Sequence, residues 1–109
     1  MTEAHRCDLC VIGAGSGGLS LAAGASQMGA SVVLVERAQM GGECLHTGCV
    51  PSKALLAAAA RGESFTDAYA HVRRAIDAIA PHDSRERFEG LGVRVIAGEA
   101  RFAGPRRVI

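Results

Sequence analysis

Two cysteines, Cys44 and Cys49, are the residues of this sequence best suited to redox chemistry. They lie in the segment GGECLHTGCVPSK, with four residues between them, just before an apolar run of helix formers. In an ideal helix, residues five apart lie roughly 8 to 9 Å apart between their Cα atoms, beyond the separation of about 7 Å that a disulfide tolerates. Because Gly48 frees the backbone and Pro51 favours a helix start, we expect an irregular turn between the two sulfurs.

The cysteine pair has one reactive interpretation and several inert ones. A thiol near a helix N-terminus is expected to have a lowered pKa, because the dipole and the free amide groups stabilise the reactive thiolate. We expect this for both cysteines. The alternatives are two buried thiols, an inert disulfide, or a metal site. A metal would need two further ligands, and His46 lies too close in sequence to be a convincing one.

A glycine-rich segment, GAGSGG, offers a second kind of chemistry. Gly13, Gly15 and Gly18 form the pattern GxGxxG directly after a predicted strand and at the start of a predicted helix. The first glycine permits a tight turn, the second lets the backbone approach a pyrophosphate, and the third allows close packing of helix on strand. The helix then presents free amides and the positive end of its dipole to phosphate. The pattern predicts dinucleotide binding and does not distinguish FAD from NAD.

Glu36 ends the next predicted strand, 18 residues after Gly18. An acidic side chain there can accept hydrogen bonds from both hydroxyls of an adenosine ribose, and it repels a 2'-phosphate. The alternative is an ordinary glycine loop beside a solvated strand end. The order of strand, turn, helix and strand favours the binding function.

The elements that must position these residues form a β-α-β unit. It consists of a buried strand over residues 7–12, a helix over residues 19–28 that ends at Gly29, and a buried strand over residues 31–36. A helix from Pro51 through Ala60 follows the cysteine pair and is interrupted at Gly62. The predicted fold class is α/β, a partial Rossmann-like domain.

The second half of the chain predicts a second helix and short strands. Residues 64–80 carry an apolar stripe at helical spacing and end at Pro81; the stripe consists of Ala68, Val72, Ala75, Ile76 and Ile79. A helical turn is predicted over residues 84–89, strands over residues 93–96 and 100–102, and the beginning of another strand in GPRRVI. Because a parallel sheet needs helices on both faces, we expect the unit to lack some packing partners.

The composition fits one globular domain with no strongly charged surface. The 109 residues are 49% hydrophobic and 21% charged, with a formal net charge of +1. That balance gives no reason to expect nucleic acid or a membrane as a partner. Because the sequence shows no apolar run long enough to span a bilayer, and no signal peptide over residues 1–6, we expect a cytoplasmic location.

The other cysteines and the remaining histidines are expected to have no chemical role. Cys7 and Cys10 lie in the first predicted strand, where residues three apart point to opposite faces, so a core position is predicted for both. His5, His71 and His82 lack a spacing that suggests shared ligands, and no metal site is predicted.

Three segments in order, CDLCVIGAGSGG, VVLVE and GGECLHTGCVPSKALL, resemble the start of class I pyridine nucleotide-disulfide oxidoreductases. This family includes dihydrolipoamide dehydrogenase, glutathione reductase and mercuric reductase. The resemblance is strong over residues 7–56, and RFEGLGVRVIAGEARF is similar to mercuric-reductase-like members. It implies that residues 1–109 are the N-terminal part of an FAD-binding domain, without the rest of that domain, the NAD(P) domain or the dimerisation domain. It also implies a homodimeric parent and a segment that is inactive alone.

The same resemblance implies which residues bind the cofactor. The pyrophosphate of FAD would be held by Gly13, Gly15 and Gly18, and the adenosine ribose by Glu36. Flavin is thus favoured over nicotinamide at this site.

The resemblance further implies how electrons move. NAD(P)H would reduce FAD, Cys49 would exchange electrons with the flavin, and Cys44 would face the acceptor, which is a disulfide, a metal ion or a related small molecule. Lys53 would lie beside the flavin ring. Glu43 and His46 stand where the family often has Thr and Asn, so the contacts at these positions stay open.

Two other functions compete with this one. The first is a dinucleotide-binding module with structural cysteines and no turnover. The second is a disulfide exchange protein without flavin, for which CxxC at a helix start would be more typical than the CxxxxC found here.

Overall fold

The computed structural model describes residues 4–109, and the predicted β-α-β unit forms the first part of it, through Glu36. Residues 1–3, part of the N-terminus over which no signal peptide is predicted, lie outside this range. The unit comprises β1 (Leu9–Ile12), α1 (Ser16–Gln27) and β2 (Val32–Glu36). The two strands are parallel, with Leu9 opposite Val32 and Ile12 opposite Val35. The predicted α/β class is confirmed.

The ends of these elements differ from the prediction for local reasons. Strand β1 begins two residues late because Asp8 and Ser31 bond each other ahead of the ladder. The Asp8 amide donates to Ser31 Oγ at 2.8 Å, and the Ser31 amide donates to Asp8 Oδ2 at 2.9 Å. Hydrogen bonds from Ser31 lower the pKa of Asp8. The bond from the Ser31 main chain contributes most, and the Ser31 side chain contributes less. Helix α1 begins three residues early, because Gly15 adopts the extended conformation of an N-cap.

A third parallel strand, β3 (Arg94–Ala97), lies on the other side of β2, so the sheet order is β1-β2-β3. The chain reaches it through a helical section made of α2 (Gly42–His46), α3 (Cys49–Ala60), α4 (Phe65–Ile79), a 3-10 turn (Ala80–Asp83) and α5 (Arg85–Gly90). Helices α4 and α5 are the two predicted around residues 64–80 and 84–89. Ser64 and Ser84 cap them, each accepting a hydrogen bond at 3.2 Å from an amide three residues on.

The last residues form a separate antiparallel hairpin of β4 (Phe102–Gly104) and β5 (Arg107–Val108). The strand predicted over residues 100–102 was therefore placed two residues too early. The turn at Pro105 and Arg106 sets the register, because it leaves Phe102 opposite Val108. Arg101 and Ile109 then close the hairpin, with each amide donating to the other's carbonyl at 2.9 Å.

Two apolar cores hold the site in place. The first lies between the sheet and helices α1 and α5, and includes Leu34 and Phe88, which are 0% and 1% exposed. The second lies among the helices that follow, and consists of Leu45, Ala54, Val72 and Ile76. Leu45 thus ties α2, which also carries Cys44, to a core separate from that of the sheet.

Within residues 4–109, no helix is long and apolar enough to cross a membrane.

Candidate functional site

The glycine turn between β1 and α1 brings the helix very close to the strand. Gly13 has a φ of +104°, and its amide donates to the Val35 carbonyl at 2.8 Å. A Cβ at Gly18 would lie 1.9 Å from the Gly13 carbonyl oxygen, so only glycine fits there. A Cβ at Gly15 would meet nothing within 4 Å. The turn therefore needs Gly13 and Gly18 for its own shape, whereas Gly15 leaves space beside the main chain.

The N-terminus of α1 has no side-chain cap. Gly15 is the N-cap residue, and the first turn contains no acidic residue. The first helical hydrogen bond runs from the Leu19 amide to the Gly15 carbonyl at 2.9 Å. The amides of Ser16, Gly17 and Gly18 come before it and have no acceptor within the helix. With the helix dipole, these amides suit an anion such as a phosphate.

Glu36 ends β2 beside this turn. Its Oε2 accepts a hydrogen bond from the Ala14 amide at 3.4 Å, a long and therefore weak bond, and the residue is half-buried. Glu36 reaches the turn because β1 and β2 are adjacent and parallel, so their carboxyl ends meet at one edge of the sheet. The predicted ribose ligand thus lies next to the predicted phosphate site.

The cysteine-bearing segment crosses the glycine turn at Gly41 and Gly42, two residues for which the sequence predicted no role. The Gly41 amide donates to the Ala14 carbonyl at 2.8 Å. A Cβ at Gly42 would lie 2.7 Å from Gly15 Cα, and the two crossing glycines have φ of +100° and +64°. The sequence signal is the adjacent pair Gly41 and Gly42, separated from Cys44 by Glu43; it indicates a turn, but it does not show which segment that turn contacts.

Cys44 and Cys49 lie on two different helices with an irregular joint between them, as predicted. Cys44 is in α2, which ends at His46, and Cys49 is the first residue of α3. Gly48 in the joint has φ of −121° and ψ of −110°, outside the helical range. Both cysteines are free thiols, with Cys44 half-buried and Cys49 exposed.

A cleft of about 520 Å³ joins the predicted phosphate site to the thiols. Its walls are the start of α1 and the cysteine-bearing segment, namely Gly15, Ser16, Gly17, Glu43, Cys44, Gly48 and Cys49. The structure therefore brings the second motif glycine together with both predicted redox residues. Lys53 is exposed on α3, about one turn beyond Cys49.

The pKa of Cys44 is raised, so the prediction of a lowered value for both thiols is wrong for this one. The main cause is its hydrogen bond to the Cys49 side chain, which stabilises the protonated Cys44 thiol, and burial adds to the effect. The Lys53 ammonium lowers the pKa of Cys44 by a smaller amount. The physical reason is the neighbouring thiol, because the contact with Cys49 favours the protonated form of Cys44.

Removal of the Cys49 thiol is expected to lower the pKa of Cys44 toward its ordinary value. In Cys49→Ala, alkylation of Cys44 by iodoacetamide at a fixed pH should be faster than in the reduced parent, because the thiolate is the reacting form. The pH–rate profile, followed by peptide mass spectrometry, should move to lower pH. Cys7→Ala is the matched control and should leave the profile in place. If the pH–rate profile of Cys49→Ala matched that of the parent or moved to higher pH, the Cys49 side chain would not be the cause of the raised pKa of Cys44.

The other two cysteines are half-buried and outside both cores, so the predicted core positions are wrong. Cys7 precedes β1, and the argument from opposite strand faces therefore does not apply to it. The pKa of Cys10 is raised mainly by burial and to a smaller extent by the charge of the nearby Cys7 thiolate.

Among the residues that the structure describes, no three His, Cys, Asp or Glu side chains group closely enough to hold a metal ion.

The two positions that depart from the family pattern have different surroundings. Glu43 is exposed and lines the cleft. His46 is half-buried, and its Nε2 lies 2.8 Å from the Met40 carbonyl oxygen. Glu43 therefore adds a carboxylate to the cleft, whereas His46 contacts the loop that leads into α2.

These features define a class of protein, a Rossmann-like α/β fold whose glycine turn shares a cleft with a thiol pair. The family described as pyridine nucleotide-disulphide oxidoreductase matches residues 7–107. The chain belongs to this family of oxidoreductases, as the resemblance of its motifs predicted.

Named relatives agree with this assignment. A mercuric reductase from Streptomyces lividans is 55% identical over 60 residues, which cover 54% of this chain and 13% of that protein. A glutathione reductase from Burkholderia cepacia is 38% identical over 122 aligned positions, covering 97% of this chain and 27% of that protein. The solved Cu(II) complex of the HOCl-induced flavoprotein disulfide reductase RclA from Escherichia coli has a TM-score of 0.84 and 25% identity, over 94% of this chain and 24% of that one. The chain thus spans between 13% and 27% of the length of these proteins.

Proposed function

We propose that this chain binds FAD and carries the redox disulfide of a flavoprotein oxidoreductase that uses NAD(P)H to reduce a disulfide, a metal ion or a related small acceptor. The observation that supports it is the cleft of about 520 Å³, which places the start of α1 and both thiols around one space. When bound there, the flavin would supply a two-electron relay between NAD(P)H and the cysteine pair.

The residues around the cleft fit a dinucleotide such as FAD. The open side of Gly15 lets a pyrophosphate approach the main chain, and Ser16 and Gly17 are exposed at the helix N-terminus. Glu36 lies beside Ala14 with carboxylate oxygens that can accept from ribose hydroxyls. The three motif glycines and Glu36 are therefore the proposed cofactor ligands.

The two cysteines have different proposed roles because their positions differ. Cys49, exposed at the start of α3, is the proposed flavin-facing sulfur, and Lys53 on the same helix is proposed to lie by the ring. Cys44 is the proposed interchange thiol. Its raised pKa keeps the proton on its sulfur in the reduced pair, so a base must accept that proton before Cys44 can attack an acceptor. Oxidation of the pair releases two protons and two electrons and forms one S–S bond.

Glu36→Gln is expected to weaken FAD binding about tenfold. The amide keeps an oxygen for the Ala14 amide, but it loses the charge that strengthens hydrogen bonds from the ribose hydroxyls. The dissociation constant of FAD for the apoprotein, measured by quenching of flavin fluorescence, tests this. Glu86→Gln changes an exposed carboxyl on α5 that does not line the cleft, so it is the control and should bind like the parent. Equal affinity of Glu36→Gln and the parent would remove Glu36 from the proposed site.

Purification of the protein that carries this chain tests the proposed function as a whole. We expect a yellow protein that releases FAD on denaturation and oxidises NADH or NADPH faster when a disulfide or metal-ion acceptor is present. Residues 1–109 alone are expected to give no turnover. A colourless protein, or one whose Cys44 and Cys49 never join, would favour a dinucleotide-binding module with structural cysteines.

A further inference from the structure

His46 makes a hydrogen bond that connects two parts of the fold. Its Nε2 lies 2.8 Å from the Met40 carbonyl oxygen. A carbonyl oxygen can only accept, so Nε2 carries the hydrogen and donates it. Met40 lies in the loop after β2 and packs against the core of the sheet, whereas His46 is the last residue of α2. The bond therefore joins a loop held by the sheet to the helix that carries Cys44.

Helix α2 needs outside restraints, because its five residues are too few for a helix to hold its own shape. Its beginning is fixed by the Gly41 amide, which donates to the Ala14 carbonyl at 2.8 Å, and one face is fixed by the buried side chain of Leu45. The His46 bond fixes its end. Cys44 lies between these anchors, so its sulfur can stay near Cys49 only while the helix keeps its orientation.

We propose that His46 is a positioning residue for the redox pair, and that its bond to Met40 keeps Cys44 within reach of Cys49. This role presupposes the proposed function. With the bond in place, the reduced pair is already arranged for closure, so forming the S–S bond costs less conformational entropy. Without the bond, α2 samples orientations that turn the Cys44 sulfur away, and the equilibrium shifts toward the dithiol.

Equilibration of the purified protein with glutathione redox buffers measures this effect. The pair gives two electrons and two protons to one oxidised glutathione, so that one S–S bond forms and two reduced glutathiones are released. For His46→Ala we expect an equilibrium constant for oxidation about fivefold smaller, the factor that corresponds to one ordinary hydrogen bond. His46→Gln should restore the parental value, because its amide can donate over a similar reach.

Thr47→Ala is the matched control, because it removes a bond of the same turn, from Thr47 Oγ1 to the Glu43 carbonyl at 3.3 Å, and spares Met40. Its equilibrium constant should equal that of the parent. His46→Leu keeps bulk without a donor and takes the place of His46→Ala if that variant does not fold. A parental constant in the donor-free variant, or no recovery in His46→Gln, overturns the role of His46. If Cys44 and Cys49 never form a disulfide in the unmutated protein, the proposed function itself is contradicted.

Discussion

Gly18→Ala is expected to destabilise the protein severely. The added Cβ would lie 1.9 Å from the carbonyl oxygen of Gly13 and 3.1 Å from its carbonyl carbon, and neither main-chain atom can rotate away. Relief requires α1 to move off β1, which disrupts the core around Val11 and Leu19. We expect the free energy of unfolding to fall by about 3 kcal/mol or more, a large part of the roughly 5–15 kcal/mol typical of a domain. Thermal or denaturant unfolding followed by circular dichroism measures this loss.

Gly24→Ala is the matched control, because it makes the same change in the same helix where a Cβ would meet nothing within 4 Å. Alanine has the higher helix propensity, so we expect a gain of about 0.5–1 kcal/mol. Gly15→Ala should also keep the fold, but its methyl group would enter the cleft and weaken FAD binding. If Gly18→Ala were as stable as Gly24→Ala, the close approach of α1 to β1 could not be the reason for glycine at this position.

Cys49→Ser is expected to have the largest effect on activity. The substitution leaves the glycine turn intact, so bound FAD should be retained. A hydroxyl cannot form the S–S bond, and turnover through the pair should fall about a thousandfold or more. Cys44→Ser should lose turnover to a similar extent. The two variants should differ in spectrum. Cys44→Ser keeps the Cys49 sulfur, whose contact with the bound flavin is expected to give a long-wavelength absorbance band, whereas Cys49→Ser should lack that band.

Cys7→Ser is the control for these cysteine variants, because Cys7 lies before β1 and does not line the cleft. It should turn over at the parental rate. Near-parental turnover of Cys49→Ser with the same acceptor, or loss of the long-wavelength absorbance in Cys44→Ser alone, would contradict the assigned roles of the two sulfurs.

The β-α-β unit could be predicted because its signals are local. The residue types of the buried run 32–35 predict a strand, and the glycines at the start of α1 predict the turn. The ends of the elements could not be predicted as well. They depend on particular side chains, as where Asp8 and Ser31 bond each other and delay the start of β1.

The site could be predicted only in part. The spacing of Cys44 and Cys49 predicts an irregular joint if the two are to form a disulfide, but it does not show where one helix ends and the next begins. The spacing also does not show that the two thiols contact each other, and that contact is why the expected lowering of the pKa of Cys44 was wrong. The crossing of Gly41 and Gly42 over the glycine turn joins segments distant in sequence, so no local pattern contained it.

Anaerobic reductive titration of the oxidised, purified protein tests most directly the claim that Cys44 and Cys49 exchange electrons with a flavin bound in the cleft. We predict uptake of about four electrons per bound flavin, two by the flavin and two by the disulfide, falling to about two in Cys49→Ser. Uptake of about two electrons by the parent, with no change in Cys49→Ser, would contradict the claim.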